Sequence, residues 1–207
     1  MKEITLTIDG RVVTAREGDY ILQVAKRNNI DIPTLCYHPA LEPFGACRLC
    51  TVEVITRGRS RLVSSCVYPV EEGIEVKTAS EDVLRGRKMI VEWLLARCPE
   101  VEFVQELAKE YGVEKTRFKL RNDNCILCGL CARICEERMG RSAISFIGRG
   151  VDREVGPPFQ IYSEACMACG SCASLCPTGA IKLEDITKLK PAPILSEFDR
   201  GFGTGLI

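Results

Sequence analysis

Eight cysteines fall into two copies of one spacing, C-x2-C-x2-C-x3-C, in the second half of the chain. One copy is CILCGLCARIC, Cys125 to Cys135, and the other is CMACGSCASLCP, Cys166 to Pro177. Gly129 and Gly170 follow the second cysteine, and Ala132 and Ala173 follow the third. A tight loop with a cysteine every third residue aims several thiolates at one object. Small residues beside them let backbone amides approach and donate to sulfur. That geometry suits three corners of a [4Fe–4S] cubane, whose potential such hydrogen bonds help to set.

The composition narrows the setting. The chain has 207 residues, 13 cysteines, 28 Lys+Arg and 28 Asp+Glu. A basic nucleic-acid binder is excluded, because phosphate neutralisation needs surplus cations. A disordered chain is excluded too, because 46% hydrophobic content at zero net charge can bury a core. The most apolar window, Met89 to Ala96, is short and contains Glu92, so no transmembrane segment is expected. The start, MKEITLTIDG, alternates like a strand and does not read as a signal peptide. A cytoplasmic, reducing location is therefore expected. There, an odd number of cysteines argues for metal rather than disulfides.

Four blocks are expected. Residues 1–78 read as a small α+β domain. Glu3 to Ile8 is a strand, Asp9-Gly10 a hairpin turn, and Arg11 to Thr14 the return strand. Tyr20 to Asn29 has helical periodicity through Ile21, Val24 and Ala25, and Cys50 to Ile55 and Ile74 to Lys77 add strands. Residues 79–117 read as a helical connector. Thr78 to Glu81 fits a capping box, followed by a helix with Val83, Met89, Ile90, Trp93 and Leu94 as its apolar positions. A second helix, Val101 to Tyr111, ends at Gly112. Residues 118–186 hold the repeated cysteines. Residues 187–207 read as an extended tail, with Phe198, Phe202, Leu206 and Ile207 as its apolar residues. Its Gly201, Gly203 and Gly205 lack the strand and helix of a nucleotide-binding loop. Lys115, Arg117, Lys119 and Arg121 alternate as a solvated basic row.

The repeated runs and the continuation CPTGAI (Cys176 to Ile181) resemble the bacterial two-cluster ferredoxins. In that family the fourth cysteine of each run serves the other cluster. The resemblance implies one [4Fe–4S] cluster on Cys125, Cys128, Cys131 and Cys176. It implies a second on Cys135, Cys166, Cys169 and Cys172. The first copy departs from the pattern, with Glu136 where Pro is usual, and the stretch Gly148 to Phe159 makes the intervening segment long. Two zinc sites are the competing reading, disfavoured by the cubane spacing and the lack of histidine in both runs.

Cys36, Cys47, Cys50 and Cys66 form a further set, C-x10-C-x2-C-x15-C, which suits a [2Fe–2S] cluster but is not the plant-type spacing. TLCYHP (Thr34 to Pro39) and GACRLCTVEV (Gly45 to Val54) resemble the amino-terminal domain of the large iron–sulfur subunit of complex I. The same module occurs in [FeFe]-hydrogenases and in the diaphorase iron–sulfur subunit of NAD-linked [NiFe]-hydrogenases. The resemblance implies a β-grasp fold for residues 1–78. Gly45 and Ala46 are placed to turn amides toward sulfur. His38, the one histidine, reads as a packing or hydrogen-bonding residue beside a complete four-cysteine set.

Most members of that family carry another cluster, on one histidine and three cysteines, between these modules. This connector has Cys98 alone, read as an unliganded buried thiol. Either the domains then pack closer, or the centres serve separate routes, as electron bifurcation would require. The overall expectation is an electron-transfer subunit with one [2Fe–2S] and two [4Fe–4S] clusters and no catalytic centre of its own. The implied partners are an FMN- and NAD(P)-binding flavoprotein, a thioredoxin-like [2Fe–2S] subunit and a catalytic subunit. A [NiFe]-hydrogenase is favoured by the Ile147 to Phe159 stretch, with a formate dehydrogenase or another bifurcating oxidoreductase as the alternative. A self-sufficient [FeFe]-hydrogenase is not expected, since no cysteine follows Cys176. The competing class is an iron–sulfur or zinc regulatory sensor.

Overall fold

The structure is a computed structural model that describes residues 3–120 and 122–182. The expected C-terminal tail and Arg121 lie outside the described residues. Two hairpins build the first half. Strands β1 (Glu3–Ile8) and β2 (Arg11–Arg16) pair antiparallel in full register, Glu3 opposite Arg16 and Ile8 opposite Arg11. Asp9-Gly10 turns them with both residues left-handed, φ 47° and 78°, as a two-residue hairpin loop requires. Helix α1 (Ile21–Arg27) follows. Strands β3 (Thr51–Thr56), β4 (Arg59–Ser64) and β5 (Glu75–Lys77) complete a five-stranded sheet in the order β2-β1-β5-β3-β4. The β1–β5 pair is parallel and the others are antiparallel. A mixed sheet with a helix across one face is the β-grasp arrangement expected.

The core follows from alternation. Ile4, Leu6 and Ile8 point one way along β1 and are buried, as are Val52 and Val54 on β3 and Val76 on β5. Ile21, Leu22, Val24 and Ala25 of α1 close over them. Each such side chain contributes about 1.5–3 kcal/mol when fully buried. Strand β4 was not expected. Its RSRLVS sequence is polar, and its turn, Arg57-Gly58, has φ of 50° and 74° without the usual Asn or Asp.

Helix α2 (Glu81–Arg97) and helix α3 (Glu102–Glu110) form the connector. Ser80, not Thr78, is the N-cap residue of α2, so the expected capping box is not formed. Thr78 is engaged elsewhere: its N–H and Oγ1 donate to Asp9 at 2.8 and 2.6 Å, tying β5 to the first hairpin turn. The buried face of α2 also differs. It carries Val83, Arg87, Val91, Glu92 and Ala96, while Trp93 is half exposed and leans on Phe118. Arg87 and Glu92 are drawn inward because each has a partner. Arg87 Nη2 donates to the Thr51 carbonyl at 2.8 Å. Glu92 receives the Arg117 backbone N–H and guanidinium at 2.8–3.0 Å. Arg117 is thus tied to Glu92 by its ion pair, yet it stays on the exposed face with Lys115 and Lys119, as the expected row requires.

The connector is more than a tether. Val91, Cys98, Val101, Val104 and Leu107 share one core with Leu35, Cys36, Leu41 and Leu49 from the first half and with Ile126, Cys128, Leu130 and Ile134 from the second. The three blocks thus meet at their cysteine-bearing ends. Beyond them, β6 (Ser145–Ile147) and β7 (Glu154–Gly156) form a small hairpin from the long stretch between the cysteine runs. No helix among the described residues is long and apolar enough to cross a membrane.

Glu136 explains a local difference between the two runs. After α4 (Leu130–Arg133) the first copy continues as a π-helical turn, Ile134–Arg138. The second copy stops after α5 (Ser171–Ser174), and Pro177 follows Cys176. A proline within a helix removes a backbone donor and clashes with the preceding turn, at about 3 kcal/mol. Glu136→Pro is therefore expected to end the helix at Cys135 and to release the contacts of Glu137 and Arg138 with residues 40 and 42. Limited proteolysis checks this through a new cleavage site around residues 136–144, and unchanged resistance there would refute it.

Candidate functional site

The twelve cysteines read as ligands are gathered into three neighbouring groups. In the first half, Cys36 precedes the turn at Leu41, Cys47 and Cys50 flank the entry to β3, and Cys66 follows β4. Cys36, Cys50 and Cys66 are buried and Cys47 is half-buried. The Cys47 N–H donates to Cys36 Sγ at 3.4 Å, and the Ala46 amide also faces that sulfur. The thiols act on one another in pairs. Hydrogen bonds from the Cys36 and Cys66 thiols lower Cys47 and Cys50. Cys36 and Cys66, as the donors and under burial, are pushed up. Four thiols in one buried space, each acting on the charge of the others, make a site for a cationic group that would take them as thiolates.

Two cavities mark the other groups. The first, about 520 Å³, is lined by Cys125, Cys128, Cys131 and Cys176, with Glu154 and Val155 of β7 at its edge. The second, about 230 Å³, is lined by Cys135, Cys166, Cys169 and Cys172. Each cavity takes three cysteines from one run and the last cysteine of the other. Burial raises Cys125, Cys128 and Cys131, the last to about 12. In the second group the Ser171 hydroxyl lowers Cys169, which is exposed like Cys166. In the first group burial raises Cys176, but the Ile181 amide, the Thr178 hydroxyl and the Thr178 and Ala180 amides outweigh it and leave the thiol low.

The two runs share their backbone conformation. Leu127 and Ala168, each just before the second cysteine, are left-handed with φ 54°. Gly129 and Gly170, just after it, have φ 76° and 75°. Alternating handedness turns successive amides toward one side, as in anion-binding nests. The Leu127 N–H donates to Cys125 Sγ at 3.4 Å, and the Ala143 N–H to Cys135 Sγ at 3.3 Å. Gly129 is also sterically fixed. A Cβ there would lie 3.0 Å from Phe146 and 3.2 Å from Phe44, two rings stacked with centroids 6.4 Å apart. The positive φ of Leu127 had no sequence signal, because leucine seldom adopts it.

Arginines bind the cysteine loops together. Arg97, at the end of α2, donates through Nε to the Cys125 carbonyl at 2.8 Å and through Nη2 to Asp123 at 2.9 Å. Asp123 in turn accepts the Cys125 N–H at 3.1 Å. Arg133 of α4 crosses the other way, and its Nη1 donates to the Cys36 carbonyl at 3.0 Å. Nothing in the sequence singled these arginines out. His38 holds its own loop, with Nδ1 accepting the Ala40 N–H at 3.2 Å. Cys98 is fully buried in the shared core. Burial and the Asp123 carboxylate push its thiol up to about 12, the opposite of a reactive cysteine.

The residues present fit iron–sulfur chemistry: four-thiol groups, amides directed at sulfur, and no imidazole in any group. Among the described residues no three His, Cys, Asp or Glu side chains stand close enough together to hold a single metal ion.

Comparison with known proteins agrees with this chemistry. The 2Fe-2S iron-sulfur cluster binding domain matches residues 1–81, and the 4Fe-4S dicluster domain matches residues 119–183. The NADH-ubiquinone oxidoreductase 78 kDa subunit of Candida albicans is 31% identical over 183 residues, 75% of this chain and 25% of that protein. The NADP-reducing hydrogenase subunit HndD of Solidesulfovibrio fructosivorans is 34% identical over 192 residues, 78% of this chain and 32% of that one. The chain thus spans about a quarter to a third of these relatives. A chain in the crystal structure of an NAD+-reducing [NiFe]-hydrogenase in the H2-reduced state superposes with a TM-score of 0.72 at 29% identity. The match covers 86% of each chain.

Cys98 offers a direct check on the packing. It is expected to resist iodoacetamide in the folded protein and to react only after denaturation; rapid native labelling would contradict its burial.

With a 2Fe-2S cluster binding domain at one end and a 4Fe-4S dicluster domain at the other, the chain is an iron–sulfur protein related to the large iron–sulfur subunit of complex I and to the subunits of NAD(P)-linked hydrogenases.

Proposed function

We propose that the chain is an electron-transfer subunit that relays single electrons between a flavin-bearing NAD(P)H-oxidising subunit and a catalytic subunit. The proposed catalytic subunit is a [NiFe]-hydrogenase, and a thioredoxin-like [2Fe–2S] subunit joins the same assembly. Cys36, Cys47, Cys50 and Cys66 would hold one [2Fe–2S] cluster. Cys125, Cys128, Cys131 and Cys176 would hold one [4Fe–4S] cluster, and Cys135, Cys166, Cys169 and Cys172 the other. Bound there, these groups supply one-electron exchange near neutral pH, which no side chain of the chain provides.

The observation that carries this reading is the closeness of the first two cysteine groups. Cys36 and Cys128 are buried in one core, Cys47 packs against that core, and Cys47 is near enough to Cys128 for charge on one to act on the other. A chain that lacks the ligand set of one histidine and three cysteines then needs no intermediate site in its connector. The blocks pack against each other, which favours a continuous route over a branched, bifurcating one. The protein's own contribution is to bury the first two groups, to aim amides at sulfur and to keep the loops in place through Arg97 and Arg133. At the far end, Cys166 and Cys169 are exposed beside Tyr162 and Met167, which are 73% and 54% exposed. An exposed apolar rim around a redox site suits docking of another subunit. The likeness to the NAD+-reducing [NiFe]-hydrogenase chain over 86% of both lengths favours the hydrogenase over a formate dehydrogenase.

Two measurements test the reading. Metal analysis is expected to give about ten iron per chain with matching acid-labile sulfide. Cys135→Ala is expected to reduce this to about six iron, and Cys98→Ala to leave it unchanged. Zinc, or about four iron, would defeat the three-cluster assignment. Native co-purification is expected to recover a flavoprotein and a hydrogenase subunit; a lone monomer would defeat the relay assignment.

Iron removal gives a further expectation. Among the described residues none after Ala143 is buried, whereas residues 3–113 contain one buried core and most of a second. Metal binding and folding are coupled where ligands hold the chain together. A strong chelator under reducing conditions is expected to expose residues 144–182 to protease while residues 3–113 stay resistant. Simultaneous loss of both would show that the first half depends equally on metal.

A further inference from the structure

Arg133 stands where the three cysteine groups meet. It lies two residues after Cys131, which lines the first cavity, and two before Cys135, which lines the second. Its side chain leaves that helix and reaches the first half of the protein. Nη1 donates to the Cys36 carbonyl at 3.0 Å, Nη2 donates to the Glu42 carbonyl, and Nε donates to Glu137 Oε1 at 3.1 Å. The guanidinium also lies 5.1 Å from the centre of the Phe44 ring. Only 7% of the residue is exposed, one of few buried charged residues among those described. A docking residue alone has no need of a buried, permanent charge, since a neutral amide can also donate to carbonyls.

The charge has a consequence at the group it touches. Adding an electron to a thiolate-bound iron–sulfur group makes it more negative, so a nearby fixed cation favours the reduced state. The effect is large where burial keeps water from screening it. Glu137 opposes it. Its carboxylate holds Arg133 on one oxygen and accepts the Glu42 N–H at 2.8 Å on the other, and its side chain is 24% exposed. Cation and anion therefore act in opposite directions on the same site.

We propose that Arg133 and Glu137 form an opposed charge pair that sets the reduction potential of the [2Fe–2S] site on Cys36, Cys47, Cys50 and Cys66, with Arg133 raising it and Glu137 lowering it. This rests on the cluster assignment made above. The pair exists because the first run continues past Cys135 as a helix. At the equivalent place in the second run Pro177 follows Cys176, and no such charges are carried across.

The test is an EPR-monitored redox titration of the full-length, iron-loaded protein with three variants. Arg133→Gln is expected to lower the [2Fe–2S] midpoint, so that at the wild-type midpoint the reduced-to-oxidised ratio falls about tenfold. Glu137→Gln is expected to raise the midpoint. Arg133→Lys keeps the charge but loses the planar fork, and is expected to stay close to wild type. Shifts of the same sign in the Gln variants, or no shift in either with iron retained, would overturn the proposal and leave Arg133 a docking residue. If Arg133→Gln fails to fold or loses iron, Glu137→Gln decides alone, because it keeps both donors to the carbonyls. A rise supports the pair and no change overturns it. A wild-type protein without a [2Fe–2S] signal would overturn the cluster assignment itself, a result read before any variant is made.

Discussion

The arrangement depends on arginine side chains donating to backbone carbonyls beside cysteines. Arg87 reaches Thr51, next to Cys50; Arg97 reaches Cys125; and Arg133 reaches Cys36. Hydrogen bonds from charged donors are worth about 1.5–3 kcal/mol each, and losing one partner of a buried set costs more than the bond was worth. A carbonyl acceptor has a particular advantage here. Its geometry is fixed by the backbone, so the bond constrains the loop that carries the thiol. The cysteines come from segments far apart in sequence, and these guanidinium groups hold their loops in register around a single hydrophobic core.

Much of this was legible in the sequence, for stated reasons. Alternation gave the strands β1, β3 and β5, and Asp9-Gly10 gave the first hairpin, because local backbone preference and burial agree there. The repeated cysteine spacing gave the likeness between two distant segments, and the structure carries it down to equal φ at Leu127 and Ala168. What escaped was long-range. Strand β4 is polar and owes its place to pairing with β3. Thr78 had an attractive local role as a helix cap, but Asp9, 69 residues away, took its hydrogen bonds. Arg87 and Glu92 interrupted an apolar stripe because their partners, Thr51 and Arg117, belong to other segments. Periodicity cannot report a partner that is far away in the chain.

The departures from the ferredoxin-like pattern turn out to be structural devices. The long stretch between the runs folds into β6 and β7, and its Glu154 and Val155 form part of the wall of the first cavity. The absence of proline after Cys135 lets a helical turn carry Glu137 and Arg138 over to the loop around Ala40 and Glu42. The π-helical geometry matters as well, since a widened turn re-aims side chains that a regular helix would direct elsewhere. Phe44 stacking on Phe146 over Gly129 seals the same seam from the other side.

A seam built this way answers the question posed by the bare connector. With neither histidine nor a cysteine trio between the modules, the helices α2 and α3 offer no ligands; their packing and the bonds of Arg87 and Arg97 draw the first two cysteine groups together. Cys98 is part of that packing: fully buried and held protonated by its surroundings, it fills core space rather than offering a ligand. The cost of closeness is that charge at one group is felt at the next, as between Cys47 and Cys128. If both groups held clusters as proposed, electrons added to them would repel one another, and a buried cation between them would offset that repulsion. Arg133 occupies that place because its helix carries Cys131 of one group while its side chain reaches the Cys36 carbonyl of the other.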